Sequence, residues 1–291
     1  MKITNSFKYS ISSLILLISF FSFAQNDFLG KAYYMSKTTI DMDNFGRPGM
    51  SEEQKKQMAE RMKSMLEKTY VLTFNKTESI YKEEEKLETP GQGQGGRFRG
   101  MMSSFTGGDQ YKNIKEKTFL QDQELFGKQF LIKDSLPTIN WIMGNETKQI
   151  GKYMCFKATA KMPNSSFDFT RFRRQPENRG SEQDSTKTKE NETIDTENLV
   201  EVEAWYTLQI PVNQGPGEYW GLPGLILEVS AGRTTVLCSK IVVNPNEKET
   251  IKKPSKGKEV TKLEYNEIME KKIQEMRENF RRRGGGGNRR G

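Results

Sequence analysis

The chain has 291 residues, of which 34 % are hydrophobic, and its formal net charge at pH 7 is +8. It contains no histidine, which excludes Ser-His and Cys-His nucleophile pairs, the usual zinc sites and the commonest general base. The positive charge lies at the end of the chain: residues 251–291 carry 13 Lys and Arg against 6 Glu, whereas residues 25–250 have a net charge of −1. The basic balance therefore indicates no nucleic-acid surface on the body, and we expect no nucleic-acid partner.

The first 24 residues have the pattern of a secretory signal peptide. Lys2 and Lys8 give a positive start, residues 11–23 form an apolar stretch, and Ala24 supplies a small residue for cleavage. The apolar stretch is shorter than the roughly 20 residues that span a bilayer. No cysteine lies at the cleavage position to carry a lipid. We therefore expect an exported protein, periplasmic or associated with the outer membrane, that is neither a lipoprotein nor transmembrane.

Residues 25–250 predict one mainly β domain with flanking helices. Short segments rich in Val, Ile, Tyr, Phe and Thr alternate with Gly, Asn and Asp turn signals, from "KAYYMSKTTI" to "TTVLCSKIVV". "SAGRTT" has the length and the glycine of a tight hairpin connection. The spacing predicts an antiparallel meander sheet rather than βαβ units.

A helix is predicted after the first strand. Ser51 and Gln54 have the spacing of a capping box. The apolar residues that follow share one helix face: Met58, Met62, Met65 and Leu66. Thioethers suit Cu(I), but a methionine stripe at helical spacing is better explained by packing on the sheet. We therefore expect neither a metal nor a cofactor.

Polar sequence interrupts and ends the predicted domain. Segments near residues 87–109 and 163–198 are expected to be disordered inserts. Residues 251–291 predict a basic helical tail that ends in Arg/Gly-rich disorder. The tail arginines are candidates for contact with anionic lipid or lipopolysaccharide phosphates: Arg281, Arg282, Arg283, Arg289 and Arg290.

Two cysteines, Cys155 and Cys238, lie in strand-like sequence. An even number of cysteines in an exported protein permits a disulfide, provided that adjacent strands bring the two side chains together. The alternative is a pair of buried, unpaired thiols, because free cysteine is among the most buried residue types.

The segment "EYWGLPGLILEV" at residues 218–229 is unusual in so polar a chain. Leu222–Leu225 fits a type II turn with Gly224 at positive φ, feeding a strand. The aromatic residues around it either pack in the core or line a groove for a ligand or a partner segment. That candidate groove comprises Trp205, Tyr206, Pro211, Gly215, Pro216, Tyr219, Trp220, Gly221, Leu222, Pro223 and Gly224. Glu203, Glu218 and Glu228 lie nearby, but no catalytic motif accompanies them, and we expect no enzymatic activity.

Three stretches together carry a family resemblance. "GLPGLI" at residues 221–226, "AWYTLQIPVNQGP" at 204–216 and "INWIMGNETKQIGKYMCFKATA" at 139–160 resemble the GLPGLI family. The chain departs from the family pattern in the roughly 35 polar residues that separate the last stretch from "AWYT". The resemblance implies an exported Gram-negative envelope protein without an established activity, often encoded beside TonB-dependent receptor-like proteins.

The resemblance also implies an architecture: a long antiparallel sheet with a helix packed across it, similar to the curved half-barrel of outer-membrane lipoprotein carriers. We therefore expect a non-enzymatic periplasmic binding or accessory protein that works with an outer-membrane TonB-dependent receptor-like partner. The alternative is a periplasmic carrier of a lipid or other apolar ligand in a half-barrel groove.

Overall fold

A computed structural model describes residues 28–39, 49–84, 107–163, 199–245 and 250–284 of the chain. The predicted signal peptide, nearly all of the two predicted inserts and the last seven residues lie outside the described residues. The described helices are α1 (Glu52–Leu66) and α2 (Lys262–Gly284). The described strands are β1 (Gly30–Thr38), β2 (Glu67–Phe74), β3 (Glu78–Glu83), β4 (Gln110–Asn113), β5 (Thr118–Leu125), β6 (Lys128–Ser135), β7 (Ile142–Ile150), β8 (Tyr153–Pro163), β9 (Leu199–Thr207), β10 (Leu225–Ala231), β11 (Thr234–Val243) and β12 (Lys258–Val260).

These strands form one open sheet in the order β12-β6-β5-β4-β3-β2-β1-β11-β10-β9-β8-β7. Strands β1 to β6 are consecutive neighbours, and so are β7 to β11, so that two meanders join where β1 pairs with β11. The neighbours pair antiparallel, except that β12 runs parallel to β6. The prediction of a mainly β fold built from antiparallel meanders is confirmed.

Local sequence signals explain several of the connections. Ser51 and Gln54 form the predicted capping box, in which Ser51 N–H donates to Gln54 Oε1 at 3.0 Å and Gln54 N–H donates to Ser51 Oγ at 3.2 Å. The "SAGRTT" hairpin joins β10 to β11, with Ala231 paired to Thr234 across Gly232. Gly232 has a φ of +57°, which suits a residue without a Cβ.

The C-terminal region differs from the predicted tail. Strand β12 lies beyond residue 250, where the predicted β-rich domain ends, and it pairs with the edge of the sheet. The first turns of α2 also pack on the sheet, because the ring of Tyr265 meets the ring of Phe130 on β6 edge-on, with 5.7 Å between centroids. Thr261 and Glu264 form a second capping box at the start of α2. The first part of the tail is therefore an integral part of the fold.

The strands on either side of residues 218–229 are covered on both faces. Alternate residues of a strand point to opposite faces, so the neighbours Trp205 and Tyr206 on β9 enter different clusters. Trp205 packs on the inner face, which carries Tyr34 and Leu72. Tyr206 packs on the outer face, with Ala158 and Val202. In the part of the chain that the structure describes, neither helix has the length and apolar character of a membrane span.

Candidate functional site

Residues 208–224, the signature loop, connect β9 to β10 and fold back on themselves. Gly221 N–H donates to the carbonyl of Asn213 at 3.2 Å, and Leu225 N–H donates to the carbonyl of Ile210 at 2.9 Å. Ile226 N–H donates to the carbonyl of Gln214 at 3.0 Å. Ile210 and Leu222 are buried in the clusters on the two faces of the sheet. The loop therefore has a defined backbone path in spite of its glycines and prolines.

A fully buried lysine anchors this loop from the inner face of the sheet. Lys112 lies on β4, and its Nζ donates to the carbonyls of Gly215 at 2.7 Å and Tyr219 at 2.9 Å. Desolvation lowers the pKa of Lys112 to about 7, although the negative charge of Glu218 opposes that shift. A neutral amine has two N–H groups, which match the two carbonyls. The sequence carries no signal for this role, because lysine is expected to be exposed.

Two indole groups hold the other side of the loop. Trp141, which precedes β7, donates from Nε1 to the carbonyl of Trp220 at 2.8 Å. Trp220 donates from its own Nε1 to the carbonyl of Pro137 at 2.8 Å. Each indole satisfies its only hydrogen-bond donor on a backbone carbonyl, which fixes both rings relative to the loop. The Nδ2 of Asn213 donates to the carbonyl of Leu222 at 3.0 Å and closes the turn from within.

An ion pair connects the signature loop to the C-terminal helix. Glu218 Oε1 lies 2.5 Å from Nζ of Lys262, the first residue of α2. The backbone N–H of Lys262 also donates to Asp134 at the end of β6, at 2.8 Å. Because both groups of the pair are partly exposed, the pair positions the helix start more than it stabilises the fold. The sequence alone did not indicate that the loop and the tail meet.

The predicted turn at Leu222–Leu225 is wrong in its key residue. Gly224 does not have a positive φ; Gly221 does, at +93°. Glycine is required at 224 for another reason: a Cβ there would lie 2.0 Å from the carbonyl oxygen of Thr207. The backbones of the loop and of β9 approach too closely for any side chain, so the constraint at 224 is steric contact and not backbone conformation.

Most of the candidate groove is packed rather than open. Three of its residues are exposed, namely Pro211, Gly221 and Pro223, and two aromatic residues, Tyr219 and Trp220, are half-buried. The six others are buried: Trp205, Tyr206, Gly215, Pro216, Leu222 and Gly224. Their aromatic rings serve the core, which is the alternative that the sequence analysis left open. The predicted motif residues do meet in space, but they form a rigid loop and not a lined groove.

Ion pairs hold the three carboxylates near the signature segment. Glu203 pairs with Lys157 at 3.1 Å, and Glu228 pairs with Lys148 at 2.7 Å, while Glu218 pairs with Lys262 as described. Burial raises the pKa of Glu203, but hydrogen bonds from Trp205 and Lys157 outweigh that effect and leave the pKa below its ordinary value. A general acid needs the opposite shift, a raised pKa.

Two lysines flank the ring of Trp205. The ammonium group of Lys148 lies 4.3 Å from the ring centroid, and that of Lys157 lies 5.8 Å from it. The Nε1 of Trp205 donates to Glu203 at 2.8 Å. Both lysines belong to the "ETKQIGKYMCFKA" stretch, so residues that are distant in sequence form one cation–π and ion-pair cluster.

Two exposed apolar side chains lie on the outer face beside the signature loop, and a third belongs to the first residue of the loop. Met143, Met154 and Leu208 are 52 %, 49 % and 50 % exposed. Met143 pairs with Ala158, and Tyr206 contacts its sulfur at 3.6 Å. The backbone N–H of Met154 donates to Oε1 of Gln209 at 3.1 Å. We call these three residues the apolar rim; alternation in β8 was the only sequence signal for it.

The two cysteines are free thiols, and both are buried. Cys155 lies on β8 and Cys238 on β11, with β9 and β10 between them, so the adjacent strands that a disulfide would need do not carry them, and the alternative of two buried, unpaired thiols holds. Burial raises the pKa of Cys155 to about 11 and that of Cys238 to about 12. Such thiols carry almost no thiolate at neutral pH and are poor nucleophiles.

Several predicted features fall outside what the structure describes. The side chains of Arg281, Arg282 and Arg283, at the end of α2, are not among the described side chains, and Arg289 and Arg290 lie beyond residue 284. Met62 and Met65 of α1 are in the same position, whereas Met58 is described and half-buried. Among the described residues, no three His, Cys, Asp or Glu side chains come together as a metal site.

Comparison with known proteins places the signature loop inside a recognised sequence region. Residues 141–228 match a family model described as "Protein of unknown function (Porph_ging)". No curated protein matches the chain. Among solved structures, the chain is similar to two of PNGF-II, in space groups C2 and P21, with TM-scores of 0.45 and 0.43 at 12 % and 13 % identity. The matched regions cover 83 % and 84 % of this chain, but only 32 % and 33 % of the two PNGF-II chains.

Proposed function

We propose that this chain is a non-enzymatic exported envelope protein, a periplasmic binding or accessory protein that works with an outer-membrane TonB-dependent receptor-like partner. One observation carries the proposal: the ordered signature loop carries one exposed apolar side chain of the apolar rim, Leu208, and lies beside the other two, Met143 and Met154. Exposed apolar side chains that adjoin one ordered loop offer a surface on which another molecule can dock.

The rigidity of the loop supports a role in recognition. Lys112, Trp141 and Asn213 each donate to a different part of its backbone. A surface that is already ordered loses little conformational entropy when a partner docks, so more of the contact energy appears as affinity. Methionine is also enriched at protein interfaces, where its flexible thioether adapts to the opposing surface.

The electrostatic state of the site supports a role without chemistry. Glu203, Glu218 and Glu228 each have a lysine partner within 3.1 Å. Hydrogen bonds from Trp205 and Lys157 hold the pKa of Glu203 below its ordinary value, whereas acid catalysis needs a carboxyl group whose pKa is raised.

The alternative is a carrier that shields a lipid in a curved half-barrel groove. A carrier needs space on the concave face of its sheet for the ligand. Here the inner face is filled by the protein's own side chains, and Tyr34, Leu72 and Phe74 are completely buried. Ile210 and Val212 of the signature loop pack in the same cluster. This packing favours the binding protein over the carrier.

The end of the tail supports a location at a membrane surface. Residues 271–291 contain 8 Lys and Arg against 2 Glu, a net charge of +6, while residues 25–270 sum to zero. We propose that this segment contacts anionic lipid or lipopolysaccharide phosphates. Such contact weakens as salt shortens the screening length to about 8 Å at physiological ionic strength.

Site-specific photo-crosslinking in the native envelope tests the proposal. A crosslinking residue at Met154 should capture an outer-membrane receptor-like β-barrel protein, identified by mass spectrometry. The matched control is Lys161, an exposed residue on the same strand whose side chain points to the other face. Equal capture from both positions, or capture from neither, contradicts the partner surface. A lipid bound in equal molar amount to the purified protein supports the carrier instead.

A further inference from the structure

Buried polar atoms without a hydrogen-bond partner occur on strands β3 and β4 and on the signature loop that packs against them. Among the side-chain atoms that the structure describes, four are buried without a hydrogen-bond partner: Ser79 Oγ, Gln110 Oε1, and Nε2 and Oε1 of Gln214. Ser79 and Gln214 are completely buried. The large majority of buried side-chain polar atoms in native proteins have a hydrogen-bond partner, so these four atoms require an explanation.

The geometry brings the strand residues and the loop together. Ser79 on β3 is directly opposite Lys112 on β4, so their side chains leave the same face of the sheet. Gln110, two residues before Lys112, also points to that face. The loop lies against it, since Lys112 Nζ holds the carbonyl of Gly215 at 2.7 Å. A Cβ built on Gly217 would be 3.5 Å from Gln110 Oε1.

The chemistry of the four atoms restricts what they bind. The two amide oxygens need donors, the amide nitrogen needs an acceptor, and the hydroxyl can act either way. A bare anion satisfies the nitrogen and the hydroxyl but leaves both oxygens without a donor. An apolar group satisfies none of them. The occupant must donate and accept hydrogen bonds and must be small, because the loop lies directly on the strands.

We propose that these residues form an internal hydration site, in which about two water molecules bridge Ser79, Gln110 and Gln214 beneath the signature loop. A buried water makes about three hydrogen bonds, so two of them serve the four atoms and still reach the amine of Lys112. The water joins Gln214 of the loop to Ser79 of β3 and Gln110 of β4, whose buried side-chain atoms make no direct hydrogen bond. The signature loop is then held by lysine, indole and water together.

Substitution of Gln214 distinguishes a hydrated site from an unsatisfied one by the sign of the stability change. Gln214→Met keeps the length and flexibility of the side chain and removes both polar atoms. If water forms hydrogen bonds with these atoms, the variant leaves that water with fewer partners, and the melting temperature should fall by roughly 3 °C or more. If the atoms are truly orphaned, the same change removes an unsatisfied pair and raises the melting temperature.

Ser79→Ala provides the second test, and the double variant provides the third. Ser79→Ala should also lower the melting temperature, and the double variant should lose less than the sum of the single losses, because both residues share the same water. Gln274→Met makes the same chemical change at an exposed position of α2 and should leave the melting temperature unchanged. Additive losses contradict the shared site.

A crystal structure of the unmodified protein keeps the proposal testable even if a variant fails to fold. At a resolution that shows ordered solvent, density for water is expected within about 3.2 Å of Ser79 Oγ and of a side-chain amide atom of Gln214. Continuous density larger than water between these residues would replace water with a polar solute. Direct hydrogen bonds between the side chains, with no density between them, would overturn the hydration site.

Discussion

The buried amine of Lys112 gives the stability of this protein a pH dependence that one substitution should remove. In the folded chain, desolvation lowers the pKa of Lys112 from 10.5 to about 7, whereas in the unfolded chain the amine titrates near its ordinary value. Between these two values the unfolded chain binds a proton that the folded chain does not. The free energy of unfolding therefore rises with pH across this window. It falls by the same amount as the pH decreases from 10.5 towards 7.

The size of the effect follows from the width of the window. Each pH unit corresponds to about 1.4 kcal/mol, so the range from 10.5 down to about 7 represents about 5 kcal/mol. Lys112→Met removes the titration and keeps an unbranched side chain, but it leaves the carbonyls of Gly215 and Tyr219 without their donor. These two consequences oppose each other near neutral pH. The slope of the free energy of unfolding with pH reports only the loss of the Lys112 titration.

Urea denaturation followed by tryptophan fluorescence, at about pH 7.5, 8.5 and 9.5, measures that slope. The free energy of unfolding of the unmodified chain, minus that of Lys112→Met, should rise by about 1.4 kcal/mol for each pH unit. Titration of the tyrosines occurs in both proteins and cancels in the difference. Lys161→Met, an exposed control, should follow the unmodified chain. Parallel curves for Lys112→Met and the unmodified chain would show that Lys112 remains protonated inside the fold and that desolvation does not lower its pKa.

Three further predictions concern the signature turn, the cysteines and the tail. Gly224→Ala should lower the free energy of unfolding by about 3 kcal/mol, because the new Cβ would meet the backbone of Thr207 at 2.0 Å; unchanged thermal melting would contradict that contact. Without reductant, both cysteines should react with a thiol reagent after denaturation and resist it before, whereas a mass lower by two hydrogens would reveal a disulfide. A chain that ends at Glu270 should melt like the full chain but lose binding to anionic vesicles. A chain that ends at Pro254 should lose that binding and also melt at a lower temperature, because it lacks β12 and the start of α2. Equal melting of the two truncated chains would show that β12 and the start of α2 do not stabilise the fold.

Features whose signals lie within a few residues of one another were predictable. The capping box of Ser51 and Gln54 needs only two residues three apart and a helix to follow. The hairpin at Gly232 needs only a short turn between two β-forming segments. In both cases the hydrogen bonds that define the feature close within the segment that the sequence displays.

Features that depend on distant segments were not predictable in the same way. Glycine is required at 224 because a Cβ there would meet the carbonyl of Thr207, a contact that the local Leu-Pro-Gly-Leu pattern does not report. Strand β12 has three residues, too few for a periodic signal, and it becomes a strand because β6 offers an unpaired edge. The role of Lys112 was invisible, because its partners are carbonyls more than 100 residues away.

The sequence by itself determined the kind of sheet and the place of the signature loop within it. Alternating apolar residues and regularly spaced turn signals predict an antiparallel meander, because neighbouring strands joined by short turns can each bury their apolar face. Tertiary structure alone decided what each motif residue does. Once β1 pairs with β11, the order of the strands separates Cys155 from Cys238, carries the loop onto Lys112 and places the exposed methionines beside it. Strand order and buried hydrogen bonds join segments far apart in the chain, and no local pattern encodes such contacts.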